Sequence, residues 1–276
     1  MAPSRPRFPL PLDAVRSGDR GPGARRPAAA PEPPMLRPQA PLDAAARDRA
    51  RQTVPAGLGL DSEQVRERLI RRLEAQGLRD PRVAAALRAV PRHLFVDSAL
   101  AQQAYEDTSL PIGWGQTISK PSVVARMLEL LIAPQPAGRP LRLLEIGSGC
   151  GYQAAVMLQL GVSRLVSIER LRPLHELAQA RLAPHRGDRL RLVHGDGRLG
   201  HAPMAPYDGI IAAAGGEALP EAWLAQLAPG GRLVAPLARS PGGPQCLAVV
   251  DRMADGRLVE QRHEAVLFVP LESGVA

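Results

Sequence analysis

Three acidic residues, Glu145, Glu169 and Asp196, stand at or just past the ends of short apolar runs, and they carry much of the chemistry legible in this chain. The first run, Leu141 to Ile146, reads as a buried strand and stops at three alternating glycines, Gly147, Gly149 and Gly151. An apolar segment of helical character, Gln153 to Leu160, follows directly. Strand, tight glycine turn and helix start form the usual nucleotide pocket of an α/β sheet, with the first helical N–H groups facing the ligand. Glycine lets the backbone approach that ligand without a Cβ in the way. Dinucleotide sites favour G-x-G-x-x-G with an acid about 20 residues further on. Here the spacing is G-x-G-x-G, and the acid Glu145 lies inside the strand. A carboxylate repels a diphosphate and attracts a cationic amino-acid end. The pattern therefore favours S-adenosylmethionine, which carries a sulfonium and an ammonium group and no phosphate, over NAD.

Two further strand ends agree. Arg164 to Ile168 reads as a second strand ended by Glu169, an acid placed to accept hydrogen bonds from ribose hydroxyls. Leu190 to His194 reads as a third, ended by Gly195-Asp196-Gly197, where Asp196 could face an adenine amino group or simply serve an Asp-Gly turn. Upstream lies a polar, glycine-rich run from Ile112 to Pro121. Its Gln116, Thr117, Ile118 and Ser119 bring several neutral hydrogen-bonding groups close together. Ser119 precedes Pro121 and is either the N-cap of the next helix or a hydroxyl that orients an anionic substrate at a helix start.

These residues need a scaffold, and the periodicity supplies one. A capping signature at Asp61-Ser62-Glu63 opens a helix with Val65, Leu69, Ile70 and Leu73 as its stripe, ended by Gly77. A second helix starts at Asp80-Pro81 and runs to Val90. Pro91 to Val96 is expected to be extended, Ser98 to Tyr105 a short helix, Glu106 to Ser119 a loop, and Pro121 to Ile132 a helix. After the three acid-tipped strands come a strand at Tyr207 to Ala213, a helix at Pro220 to Leu227, a turn at Pro229-Gly230-Gly231 and a strand at Arg232 to Leu237. Two extended pieces, 245–253 and 258–269, suggest a closing antiparallel pair. Alternation of this kind predicts a mostly parallel sheet with helices on both faces.

Composition separates the first 55 or so residues from the rest. They are crowded with Pro, Ala and Arg and are expected to be disordered. Through Leu60 ten arginines face five acids, so most of the net charge of +8 belongs to this tail, and the folded part is not expected to bind nucleic acid. Residues 56–276 are expected to form one domain with a helical N-terminal elaboration. No stretch approaches a membrane span. Cys150 and Cys246 offer no disulfide framework, the six histidines lack metal spacing, and the expected setting is the cytoplasm.

Several runs together resemble the protein-L-isoaspartate O-methyltransferase family. They are Ala104 to Asp107, Leu110 to Gly113, Gly115-Gln116-Thr117-Ile118-Ser119 with Pro121, Val90 to Val96, Leu144 to Gly149, Gly195 to Gly197 and Leu227 to Val234. The likeness runs from about residue 60 to the C-terminus. It implies a Rossmann-like, S-adenosylmethionine-dependent methyltransferase fold. The implied activity is methylation of the free α-carboxylate of L-isoaspartyl residues in damaged proteins, after which the ester collapses to a succinimide. Ser119 is then the residue marked as active. Glu145, Gly147 and Gly149 would contact the methionine part of the cofactor, Glu169 the ribose, and Asp196 with Gly197 the adenine side. The run Ala212 to Glu217 is more glycine-rich than the family pattern. Such chemistry asks for alignment of oxygen, methyl carbon and sulfur and needs no general base, because the carboxylate is already ionised at neutral pH. Ser119 lies in no G-x-S-x-G elbow, which argues against a serine hydrolase. A small-carboxylate methyltransferase, or a polyanion-binding protein with a vestigial pocket, are the rival readings.

Overall fold

The computed structural model describes residues 63–276 apart from 186, 239, 241 and 242. The N-terminal tail and the Asp61-Ser62 capping residues therefore lie outside the described residues. Helix α1, Glu63–Ala75, buries Leu69, Ile70 and Leu73, the stripe its spacing predicts. Helix α2, Pro81–Ala89, is capped by Asp80, whose side chain accepts from the Arg82 N–H. Two 3₁₀ turns follow, Arg92–Phe95 and Ser98–Tyr105.

The first of these turns overturns the expected extended segment. Phe95 is buried edge-on against Tyr152, with ring centroids 5.6 Å apart. Arg181 donates to the carbonyls of Phe95 and Val96 at 2.7 and 3.2 Å. A tight turn is what presents those two carbonyls to one guanidinium. The expected loop also contains structure: β1, Leu110–Gly113, and β2, Gln116–Ile118, form an antiparallel hairpin that leads into α3, Pro121–Ile132.

The main sheet has seven strands: β3 Arg142–Ile146, β4 Arg164–Glu169, β5 Leu190–His194, β6 Tyr207–Ala212, β7 Leu227–Ala238, β8 Gln245–Arg252 and β9 Leu258–Val266. Their spatial order is β5-β4-β3-β6-β7-β8-β9. Strands β3 to β7 are parallel and the last two pairings are antiparallel. The chain winds outwards from β3 through β4 to β5, then crosses back to place β6 on the other flank of β3. In such sheets the ligand crevice lies beyond the carboxyl ends of the strands at this reversal. Helices α4, Tyr152–Gln159, α5, Arg172–Arg181, and α6, Glu221–Gln226, complete the described helices.

One core cluster joins α1 to α4 to one face of the sheet, and a second, around Tyr207, Trp223, Leu227 and Leu233, fills the other. Strand periodicity assigns side chains to them: Leu143 belongs to the first and Leu144 and Ile146 to the second. The Pro229-Gly230-Gly231 run, expected as a turn before the strand, lies within β7. The ladder pairs Tyr207 with Leu227 and resumes at Gly209 with Arg232, so the intervening residues form a bulge. A Cβ on Gly231 would stand 2.8 Å from the Ala228 carbonyl oxygen and 3.0 Å from that of Tyr207.

Candidate active site

The glycine turn folds back over the end of β4. The N–H groups of Gly147 and Ser148 both donate to the Ile168 carbonyl, at 2.9 and 3.1 Å. Gly149 and Gly151, at φ of 51° and 88°, occupy the left-handed region that a side chain disfavours. Glu169 anchors the turn: its carboxylate accepts from the Gly149 N–H at 2.9 Å and from the Leu171 N–H at 3.0 Å. A carboxylate has about four acceptor positions, so capacity for ligand hydroxyls remains.

Glu145 lies beneath this turn rather than in it. Because side chains alternate along a strand, Glu145 shares the face of Leu143, and its partner in register on β4 is Ser167. The side chain is fully buried. Ser167 Oγ donates to one carboxyl oxygen at 2.5 Å and Gln153 Nε2 to the other at 3.2 Å. Ser148 and Ser167 share a further hydrogen bond at 2.5 Å. Burial pushes the Glu145 carboxyl up to about 8, while the bonds from Ser167 and Gln153 hold it down and the nearby Glu169 adds to the rise. Glu145 therefore does not face the cleft as an open carboxylate. It reaches the cleft through Ser148 and Gln153, which do line it.

On the opposite wall, Gln116, Thr117, Ile118 and Ser119 descend from the hairpin into the same cleft. The N-cap position of α3 is Lys120, with no side-chain cap, and it is Asp107 that accepts from the Ser122 N–H at 2.8 Å. The capping alternative for Ser119 is thus taken up by Asp107. No hydrogen bond engages the Ser119 hydroxyl among the described residues. Its carbonyl is held from behind by Arg92 Nη2 at 2.7 Å. Arg92 is fully buried, and its guanidinium carbon lies 4.8 Å from the centroid of the Tyr152 ring, the first residue of α4. Burial lowers the Arg92 pKa, opposed by Tyr152, Cys150 and Asp107. One buried side chain therefore connects the Ser119 loop to the helix that follows the glycine turn. Hydrophobic patterning offered no signal for it beyond the Pro-Arg-His-Leu-Phe run. The hairpin tip, Gly113-Trp114-Gly115, has all three residues at positive φ, a conformation that costs a bulky residue such as Trp114 about 1–3 kcal/mol.

The remaining wall is built by Ala213, Ala214 and the segment 269–272. The glycines of the run 212–217 have a local cause. Gly215 donates to the Val269 carbonyl and accepts from the Leu271 N–H, at 2.8 and 2.7 Å. The Gln245 amide packs where a Gly215 Cβ would stand, with Cδ at 2.7 Å. Gln245 in turn accepts from the Phe268 N–H at 2.7 Å. Arg170, another lining residue, pairs with Glu272 at 2.5 Å.

The cleft is open to solvent on one side. Of the residues singled out on sequence, it gathers Gln116, Thr117, Ile118, Ser119, Gly147, Gly149, Glu169 and Gly197. Glu145 and Asp196 are not among its lining. Asp196 caps the 3₁₀ turn Gly197–Leu199 by accepting from the Arg198 N–H, and its other oxygen accepts from the Gly274 N–H at 2.7 Å. Cys150 lines the cleft, but burial pushes its thiol up, the opposite of what a nucleophilic thiolate requires. No group of three or more potential metal ligands is present among the described residues.

Residues 63–276 match the family profile described as protein-L-isoaspartate(D-aspartate) O-methyltransferase (PCMT). A protein-L-isoaspartate O-methyltransferase of Methylibium petroleiphilum is 65% identical over 98% of this chain and 96% of its own length. One from Leptothrix cholodnii is 59% identical over 99% and 96%. A solved protein-L-isoaspartate O-methyltransferase superposes with a TM-score of 0.68 at 29% identity, covering 76% of this chain and 67% of that one. The fold is shared by a Plasmodium falciparum protein described as a putative protein-L-isoaspartate O-methyltransferase in complex with S-adenosyl-L-homocysteine. It has a TM-score of 0.65 at 24% identity and covers 74% and 96% of the two chains.

Proposed function

We infer from this site the reaction of a chain that belongs to the protein-L-isoaspartate(D-aspartate) O-methyltransferase family. The enzyme transfers a methyl group from S-adenosylmethionine to the free α-carboxylate of L-isoaspartyl residues in damaged proteins, which starts their repair. The observation that carries the reading is the meeting, in one cleft, of the Gln116 to Ser119 segment and the Gly147 to Gly149 turn, with no hydrogen bond to the Ser119 hydroxyl among the described residues.

The residues present suit the cofactor. The glycine turn admits a close approach, and a Cβ on Gly149 would stand 3.2 Å from Ile112 Cδ1. Glu169 keeps acceptor capacity for ribose hydroxyls, and Gly197 lines the cleft beside them. A Cβ on Gly197 would meet Ile146 Cγ2 at 2.5 Å, so this position too demands glycine. Ser148 and Gln153 present the buried Glu145 network to the cationic amino-acid end. Asp196 supports the adenine side by fixing Gly197 and the 269–276 segment.

S-adenosylmethionine supplies a methyl group activated by a sulfonium. The protein's part is alignment and exclusion of water. Ser119 donates its hydroxyl hydrogen to one oxygen of the substrate carboxylate, which orients the other along the line of transfer. No proton leaves the nucleophile, so no base is required. Arg92 holds the Ser119 backbone while its own charge stays away from solvent.

The two cysteines are free and buried, which suits a reducing compartment, and we place the reaction in the cytoplasm. No described helix is long and apolar enough to cross a membrane. The deciding experiment is methyl transfer from labelled S-adenosylmethionine to a synthetic isoaspartyl peptide and to its normal aspartyl twin. Strong preference for the isoaspartyl form is expected. Equal rates on both, or methylation of small free carboxylates in preference to either, would overturn the assignment.

A further inference from the structure

Trp114 is the only non-glycine residue at positive φ among the described residues, and it stands between two glycines that share that conformation. The residue is 56% exposed. A tight hairpin tip is served at less conformational cost by glycine or asparagine. The fold therefore gains little from a large aromatic ring held there on solvent, and strain kept at such a position is a pointer to function.

The location says what that function is. Ile112 and Gln116, two residues to either side of Trp114, both line the cleft. On a separate segment Leu267, 94% exposed, stands two residues before Val269, which lines it as well. On two stretches of chain, an exposed apolar residue thus stands two positions from residues that line the cleft. The substrate of the proposed reaction is a residue within a polypeptide, so chain must leave the cleft in both directions. What it offers on the way out is main chain and side chains of any kind.

We propose that Trp114, seconded by Leu267, is the docking surface for the polypeptide flanking the isoaspartyl residue. The proposal rests on the reaction proposed above. A tryptophan ring gives a large, rigid contact area at low entropic cost and tolerates varied sequences, which is what a repair enzyme with many substrates requires. Trp114 acts on peptide affinity and has no part in the transfer step.

The test compares wild type with Trp114→Ala, Trp114→Phe and Trp114→Gly on two isoaspartyl peptides. One peptide has several apolar residues on each side, and the other is a tripeptide centred on isoaspartate. For the long peptide, Trp114→Ala should raise KM about tenfold, the loss typical of a truncated aromatic contact, with kcat and cofactor Kd unchanged. For the tripeptide its KM should change less than about twofold. Trp114→Phe should recover most of the affinity. Trp114→Gly relieves the backbone strain, so it should unfold at or above the wild-type temperature and yet show the same KM increase as Trp114→Ala. An unchanged KM on the long peptide, equal increases on both peptides, or increases that follow loss of thermal stability would each overturn the docking role. If wild type methylates neither peptide, the underlying reaction is wrong and the docking role falls with it. If it methylates both and the variants do not discriminate, only the docking role is lost.

Discussion

Replacing Glu145 by glutamine keeps the shape of a neutral carboxyl group and removes its titration. In the fold the Glu145 carboxyl is pushed up to about 8 by burial, against an ordinary value of 4.5. Between these two values the folded protein holds a proton that the unfolded chain has released. Stability therefore falls as pH rises through this window, and below about 4.5 both states are protonated and the penalty vanishes. A carboxyl held about 3.5 pH units high, at 1.36 kcal/mol for each, costs the fold at most about 5 kcal/mol above pH 8 and about 3 kcal/mol at pH 7. Glutamine has no such dependence, and its amide can donate to Ser167 while Gln153 still donates to its carbonyl oxygen. The assay is urea unfolding of wild type and Glu145→Gln across the range from about pH 5 to about pH 8. The variant should gain on wild type by up to about 1.4 kcal/mol per pH unit as pH rises. A cationic ligand felt through Ser148 and Gln153 favours the ionised acid, so wild-type cofactor affinity should strengthen with pH in the same window and that of the variant should not. A stability difference that stays flat with pH would refute the reasoning, because it would mean that Glu145 is ionised in the fold throughout.

Ser119→Ala should lower kcat on an isoaspartyl peptide by roughly ten- to a hundredfold, the loss of one hydrogen bond to a charged group, with cofactor Kd within about twofold. Equal losses in both, measured by steady-state kinetics and calorimetry, would make Ser119 a structural residue. Arg92→Lys keeps a cation and loses the planar fork that spans the Ser119 carbonyl and the Tyr152 ring, so kcat should drop about tenfold or more at temperatures far below unfolding. An unchanged kcat would show that the loop needs no such support. Asp107→Ala removes the acceptor for the Ser122 N–H and should cost about 1 kcal/mol in urea unfolding, with Asp107→Asn keeping most of it. No loss in the alanine variant would return the capping role to another group.

Much of the scaffold was legible because local rules agree with the fold. Glycines stop β3, Pro and Asp frame α2, and Pro121 opens α3 where the spacing places it. The misreadings fall where a specific pairing, near or far along the chain, decides. The segment Arg92–Phe95 turns because Arg181 gathers two of its carbonyls and Tyr152 receives Phe95. The loop before α3 forms a hairpin through pairing between its own two halves, Leu110 with Ile118 and Pro111 with Thr117. The cap of α3 comes from Asp107, fifteen residues before the Ser122 N–H it accepts.

By itself the order of residue types determined the class of fold, the glycine cradle and the side chains available to the cleft, since these follow from the alternation of period and from glycine's freedom at positive φ. Glu145 marks the limit of such reading. The sequence placed an acid beside a glycine turn, and electrostatics at the surface of a pocket would make it an open carboxylate facing a cation. Tertiary structure set it instead on the inward face of β3, opposite Ser167 and beneath the turn, where burial outweighs two hydrogen bonds and holds the proton on. Whether an acid is charged depends on the water removed from around it, and only the packed sheet and helix α4 remove that water.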